Sequence, residues 1–180
     1  RAESLQQRNL AIREKVLGPD HPQTATSLNN LAVLLQAMGD LPAGRPLYER
    51  ALAIRVRALG PDHPATAASL NNFAALLQDM GDLRAAQPLY ERALAICEKA
   101  LGPDHPDTGA CLNNLAALLR AMGDLPAARP LFERALTICE KVLGPDHPHT
   151  ARSISNLADL LQAMGDLPAA RPLCERALAI

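Results

Sequence analysis

The side chains best suited to chemistry in this chain come in fours. His21, His63, His105 and His147 each follow an aspartate and precede a proline in the hexapeptide LGPDHP, at Leu17–Pro22, Leu59–Pro64, Leu101–Pro106 and Leu143–Pro148. Imidazole beside carboxylate is the donor set of a zinc site or of a general acid–base pair. The copies, however, lie 42 residues apart. Imidazoles on successive helix hairpins are separated by about 15 Å or more, because each hairpin adds two interaxial steps of ~8–10 Å. Metal–nitrogen bonds of about 2 Å cannot span that gap. His147 and His149 are close, but Pro148 separates them and no third ligand is evident. A residue before proline is driven out of the α region, so each histidine is expected to N-cap a helix that begins at its proline. The adjacent aspartate then places negative charge at the positive end of the helix dipole.

A catalytic reading finds nothing to build on. There is no Gly-rich phosphate loop, no nucleophile elbow and no carboxylate pair distinct from the repeat pattern. The copies are nearly interchangeable, whereas a catalytic site needs asymmetry. The expectation is a non-enzyme with no catalytic residue, no metal and no cofactor.

The other recurrent constellation is amide. Asn29-Asn30, Asn71-Asn72 and Asn113-Asn114 are followed by Ser155-Asn156 at the same interval. Between His21 and Gly39, Ala25, Leu28, Leu31, Ala32, Leu35 and Met38 recur at helical spacing and form one apolar stripe. On a wheel of 100° per residue Asn30 points away from that stripe, with Thr26, Val33 and Ala37. In a stacked array this face becomes the floor of a concave groove. Small residues there leave room for a ligand, and amides offer both donor and acceptor to an extended peptide backbone. The candidate ligand-binding residues are Asn29, Asn30, Val33, Asn71, Asn72, Ala75, Asn113, Asn114, Ala117, Arg120, Arg152, Asn156 and Asp159. The alternative is that the amides only bridge neighbouring first helices. Charge along the groove is mixed, with Asp79 and Asp159 against Arg120 and Arg152.

These residues must be carried by helices. Gly18 and Pro19 stop the helix that opens the chain, with Gly18 expected in the left-handed C′ conformation. Gly39 ends the next helix and Asp40 caps the one after it, giving a tight antiparallel hairpin. The second helix is expected from about Leu41 to Leu59, burying Leu47, Tyr48, Ala51, Leu52 and Ile54. Gly44, or Ala86, Ala128 and Ala170, lets the two backbones approach. Pro46, Pro88, Pro130 and Pro172 fall inside this helix, and repetition of a costly residue reads as a built-in bend. Arg45–Glu49 and Arg129–Glu133 are i,i+4 pairs on the outer face.

A fixed period of 42 residues is the mark of a repeat array. The expected organisation is one array over residues 1–180: residues 1–21 as the end of a preceding second helix with its loop, then repeats at 22–63, 64–105 and 106–147, and a truncated one at 148–180. The chain starts without Met and stops inside a repeat, which suggests a piece of something longer. The unpartnered faces of Leu173, Leu178 and Ile180 predict weak end-to-end self-association.

Bulk composition narrows the partners. Apolar residues make up 48% but aromatics only 2%, so the core must be built from Leu and Ala. A net charge of −1 with scattered Lys and Arg argues against nucleic acid, and no apolar run approaches a membrane span. The four cysteines fit no disulfide framework: Cys97 and Cys139 stand one repeat apart, too far for Cα atoms that must lie within about 7 Å. Cys111 replaces a serine, and Cys174 takes the place of Tyr48, Tyr90 and Phe132. Reduced thiols and a cytoplasmic setting are expected.

The unit Leu28-x2-Leu31-Ala32-x2-Leu35, with Gly39, Gly44, Tyr48 and Ala51, resembles a tetratricopeptide repeat. Such repeats are usually about 34 residues long. Here about eight more lengthen the second helix and supply the LGPDHP loop, a version similar to the repeats of kinesin light chains and of many bacterial signalling proteins. Leu35, Leu77, Leu119 and Leu161 depart from it where such repeats often carry Tyr. The resemblance implies an all-α, right-handed α-solenoid of antiparallel helix hairpins that holds proteins or extended peptides in its concave groove. A regulatory or sensor array attached to a signalling NTPase or protease is the alternative function.

Overall fold

The computed structural model describes residues 2–179, and Arg1 and Ile180, the ends invoked for self-association, lie outside them. Among the described residues there are nine helices and no strand: α1 (Ala2–Leu17), α2 (Pro22–Ala37), α3 (Leu41–Leu59), α4 (Pro64–Asp79), α5 (Leu83–Leu101), α6 (Pro106–Ala121), α7 (Leu125–Leu143), α8 (Pro148–Ala163) and α9 (Leu167–Ala179). This is an all-α repeat solenoid. The chain divides into two compact units, Arg1–Ile96 and Cys97–Ile180.

Two kinds of corner recur. At the hairpin corner Asp40 N–H donates to the Leu35 carbonyl and Gly39 N–H to that of Gln36, at 2.9 and 3.0 Å. This is a Schellman closure around Gly39 at φ +83°. The same Asp40 accepts from Ala43 N–H and so caps α3. One residue thus ends one helix and starts the next, and Asp82, Asp124 and Asp166 repeat both roles. Met38 is the C-cap and is 60% exposed rather than part of the apolar stripe, because the helix stops before that turn reaches the core.

The second corner is LGPDHP. All four histidines N-cap the following helix, their Nδ1 atoms accepting from the backbone N–H two residues on at 3.0–3.1 Å. The loop glycine differs from expectation. Gly60 adopts φ 97°, ψ 160° and Gly144 φ 95°, ψ 163°, an extended mirror-image region rather than left-handed helix. Only glycine occupies that region readily. Thr24, Thr66, Thr108 and Thr150 fasten the loop by donating to the carbonyls of Gly18, Gly60, Gly102 and Gly144 at 2.8–2.9 Å. All four threonines are fully buried.

In the first unit Ala25, Leu28, Ala51 and Ile54 form one apolar cluster, and Ala32, Tyr48 and Leu76 form another. In the second unit Phe132 takes the ring position among Ala116, Ala128, Leu157, Leu160 and Leu161. Burying each such Leu or Phe side chain contributes roughly 1.5–3 kcal/mol. Leu47 and Leu52 are half-buried. A Cβ on Gly44 would lie 3.4 Å from the Ala32 carbonyl oxygen, which explains both the close crossing and why alanine serves in the other copies. α3, α5, α7 and α9 run unbroken through their internal prolines.

Candidate ligand-binding site

Each first helix presents one solvent-facing stripe at helical spacing. On α2 it includes Gln23, Asn30, Val33 and Ala37, all exposed, and on α8 His149, Arg152, Asp159 and Ala163. On α4 and α6 the corresponding Asn72, Ala75, Asn114 and Ala117 are half-buried.

The amides behave differently from the ligand-facing expectation. Asn72 Nδ2 donates to Asn29 Oδ1 at 3.1 Å, and Asn156 Nδ2 donates to Asn113 Oδ1 at 3.0 Å. Asn29 and Asn113 are buried, at 7% and 8% exposure. In these two pairs the second amide of one repeat is spent on the first amide of the repeat before it. In these two pairs the arrangement is that of the alternative reading, amides bridging neighbouring first helices. Asn30 is exposed, and Asn71 is half-buried. Arg120 and Asp159 face one another at 3.6 Å, so part of the mixed groove charge is an ion pair.

Two hollows open along these stripes. In the first unit Val33, Gln36, Ala37, Tyr48, Asn72, Ala75 and Asp79 surround about 400 Å³. This brings together Val33, Asn72 and Ala75 from the expected set. It adds a polar wall in which the Tyr48 hydroxyl donates to Gln36 Oε1 at 3.0 Å and Gln36 Nε2 donates to Asp79 at 2.5 Å. Burial, and then the charge of Asp79, pushes the Tyr48 phenol up to about 12, so it stays a neutral donor.

In the second unit a cavity of about 400 Å³ lies among Asp107, Ala110, Asn113, Ile138, Cys139, His149 and Arg152, with Val142 and His147 also lining it. Asn113 and Arg152 were expected; the remainder was missed. The cause of this hollow is a substitution within the repeat register. Arg13, Arg55, Cys97 and Cys139 share one position. Arg55 fills the equivalent space in the first unit, donating to the Ala65 carbonyl at 2.8 Å and to Ser69 Oγ at 2.9 Å. Burial lowers the pKa of that guanidinium. Cys139 is far shorter, reaches only Ser153 at 3.4 Å, and leaves the space open. The exchange of Arg for Cys at a fixed register is the signal that could have located the cavity. His147 and His149 stack at its edge with ring centroids 5.3 Å apart. Among the described residues no three His, Cys, Asp or Glu side chains are grouped to hold a metal.

A tetratricopeptide repeat family model matches residues 1–43, 25–99, 69–141 and 110–180, which covers the whole chain. The chain belongs to the tetratricopeptide repeat family. Its hairpins are similar to those of a Podosopora anserina protein described as a kinesin light chain with nearly identical TPR-like repeats, at 32% identity and a TM-score of 0.79 over 99% of this chain and 84% of that one. A single-substitution variant of that protein gives 31% identity and 0.81 over the same shares. BtubC (BKLC) from P. vanneervenii gives 26% and 0.85 over 99% of this chain and 71% of that one. No curated protein matches the chain. The chain is thus a kinesin-light-chain-like tetratricopeptide array, a class of scaffold that generally mediates protein interaction and is generally non-catalytic. None of its described helices is long and apolar enough to cross a membrane.

Proposed function

We propose that this tetratricopeptide array is a non-catalytic scaffold that binds an extended segment of another protein along the exposed stripes of its first helices. The observation that carries the reading is the second-unit cavity beside Arg152, a hollow of about 400 Å³ in which Ala110, Ile138 and Val142 meet Asp107, His149 and Arg152. Arg152, Asn113, Val33 and Ala75 are the contacts we assign to the ligand, with Asn30, Asn114, Ala117, Arg120 and Asp159 along the same stripes. Asn29, Asn72, Asn113 and Asn156 hold the surface in place. The four thiols and the likeness to kinesin light chain repeats support a cytoplasmic setting.

The test is to select binders from a random peptide library on the intact chain and titrate the best one against two variants. Arg152→Ala and Val33→Asp change exposed residues. A peptide held by the second unit is expected to bind Arg152→Ala about tenfold more weakly, and one held by the first unit Val33→Asp, corresponding to ~1.4 kcal/mol, with an unchanged melting temperature. Arg45→Ala, on the outer face, should leave affinity intact. A selected peptide whose binding ignores both stripe variants would overturn the assignment.

A further inference from the structure

Residues 13, 55, 97 and 139 occupy one register near the ends of α1, α3, α5 and α7, and residues 27, 69, 111 and 153 one register on the following first helices. The packing brings these registers together. Arg55 Nη1 donates to Ser69 Oγ at 2.9 Å, Cys139 Sγ lies 3.4 Å from Ser153 Oγ, and Cys97 Sγ lies 3.3 Å from Cys111 Sγ. The meeting recurs in the second, third and fourth copies, and the third places cysteine on both sides of it. Comparing Cys97 only with Cys139 passes over this pair.

We propose that Cys97 and Cys111 are a reversible dithiol–disulfide couple, closed by peroxide and reopened by thiol reductants. A disulfide bond is about 2.05 Å long, so the sulfurs need approach by only about 1.3 Å. The Cys97 thiolate attacks one peroxide oxygen, the O–O bond breaks, and hydroxide leaves to give a sulfenic acid. Cys111 sulfur then attacks the sulfenic sulfur and displaces its oxygen as water, which carries away the remaining thiol proton. In sum two thiols and one peroxide give one disulfide and two waters. The hydrogen bond from Cys111 lowers the pKa of Cys97, against burial and the charge of Asp107, and so favours Cys97 as the attacking thiolate. Both residues are buried, at 3% and 1% exposure, so a small oxidant such as peroxide reaches them more readily than a bulky one.

Closure would ring the third LGPDHP loop and the first turn of α6, with Asp107, Gly109 and Ala110. Those three residues line the second-unit cavity. The couple therefore clamps one wall of that cavity, and it stands whether or not a peptide binds there.

The experiment treats the intact chain with hydrogen peroxide, alkylates remaining thiols with iodoacetamide and digests with trypsin. Cleavage after Arg92, Lys99 and Arg120 puts the two cysteines on separate peptides, 93–99 and 100–120. The expected result is these peptides joined, lighter than their sum by two hydrogens, from a protein that stays monomeric on a non-reducing gel. Dithiothreitol should separate them, and the oxidised chain should melt about 5–10 °C above the reduced one. The double variant Cys97→Arg, Cys111→Ser copies Arg55 and Ser69, so it should fold and show neither effect. Recovery of both peptides singly alkylated, linkage to Cys139 or Cys174, crosslinked chains, or an unchanged melting temperature would each overturn the proposal.

Discussion

Tyr48, Tyr90, Phe132 and Cys174 occupy one register, and the first-helix residue facing it is Gln in three copies and Arg120 opposite Phe132. Tyr48 and Tyr90 donate to Gln36 and Gln78, at 3.0 and 3.4 Å. Gln162 instead donates to Cys174 Sγ. Opposite Phe132, which offers no hydroxyl, the register holds Arg120, and that side chain turns to Asp159. The two phenols also make stability depend on pH. Burial, with the charge of Asp79 second, pushes both up to about 12, against about 10 in an unfolded chain. Below pH ~10 both states keep the proton and the contribution is whole. Between pH ~10 and ~12 the unfolded chain releases the proton while the folded one retains it, so stability falls as pH rises. Each ring can lose at most roughly 2–3 kcal/mol across that window. Denaturant melts at pH 9 and at pH 11.5 should show the double variant Tyr48→Phe, Tyr90→Phe losing less stability than the parent. Phenylalanine already serves at Phe132, so the variant should fold. Equal losses would mean that burial of the phenols does not govern the alkaline response.

At the scale of the helix, the asparagines decide between two roles. Asn72 joins α4 to α2 through Asn29, and Asn156 joins α8 to α6 through Asn113. Replacing Asn72 by alanine leaves Asn29 Oδ1 buried without its donor, which costs roughly 1–3 kcal/mol. A thermal melt of Asn72→Ala should therefore fall, whereas an amide reserved for ligand would leave the melt unchanged. The sequence announced such elements where the demand was local. Gly39 followed by Asp40, and His21 before Pro22, each impose a backbone conformation on themselves, so helix ends and hairpins could be read without the fold. Reach between helices could not. The wheel gives the direction of Asn30, yet it is silent on whether the next first helix lies near enough for Asn72 to touch Asn29. The same blindness hid the Cys139 cavity and the Cys97–Cys111 contact, which require packing across 14 residues. Gly60 shows a subtler gap. A glycine before proline announces a stop, but its extended mirror-image geometry is fixed by the Thr66 hydroxyl that grips its carbonyl.

At the scale of the array, polar ties join neighbouring repeats within each unit. Glu14–Arg50 and Asp20–Arg57 do so in the first unit, and Glu98–Arg134, Asp104–Lys141 and Glu140–Arg176 in the second. All are substantially exposed, and pairs of that kind contribute about 0–1 kcal/mol each. They set register more than strength. Cohesion comes from apolar layers such as Leu28 against Ile54 and Phe132 against Leu157, each shared by adjacent helices. A chain held by neighbour terms alone has no single distant contact whose loss unfolds everything, so its stability is close to a sum of repeat and interface contributions. Chains ending before Asp62 and before Asp104, compared with residues 1–180, should therefore melt at successively higher temperatures as repeats are added. The denaturant slope should rise with them, because it follows the surface exposed on unfolding. Helical circular dichroism during heating and in urea reads both quantities. A melting temperature and slope independent of repeat number would contradict nearest-neighbour cohesion and would require stabilising contacts beyond the adjacent repeats.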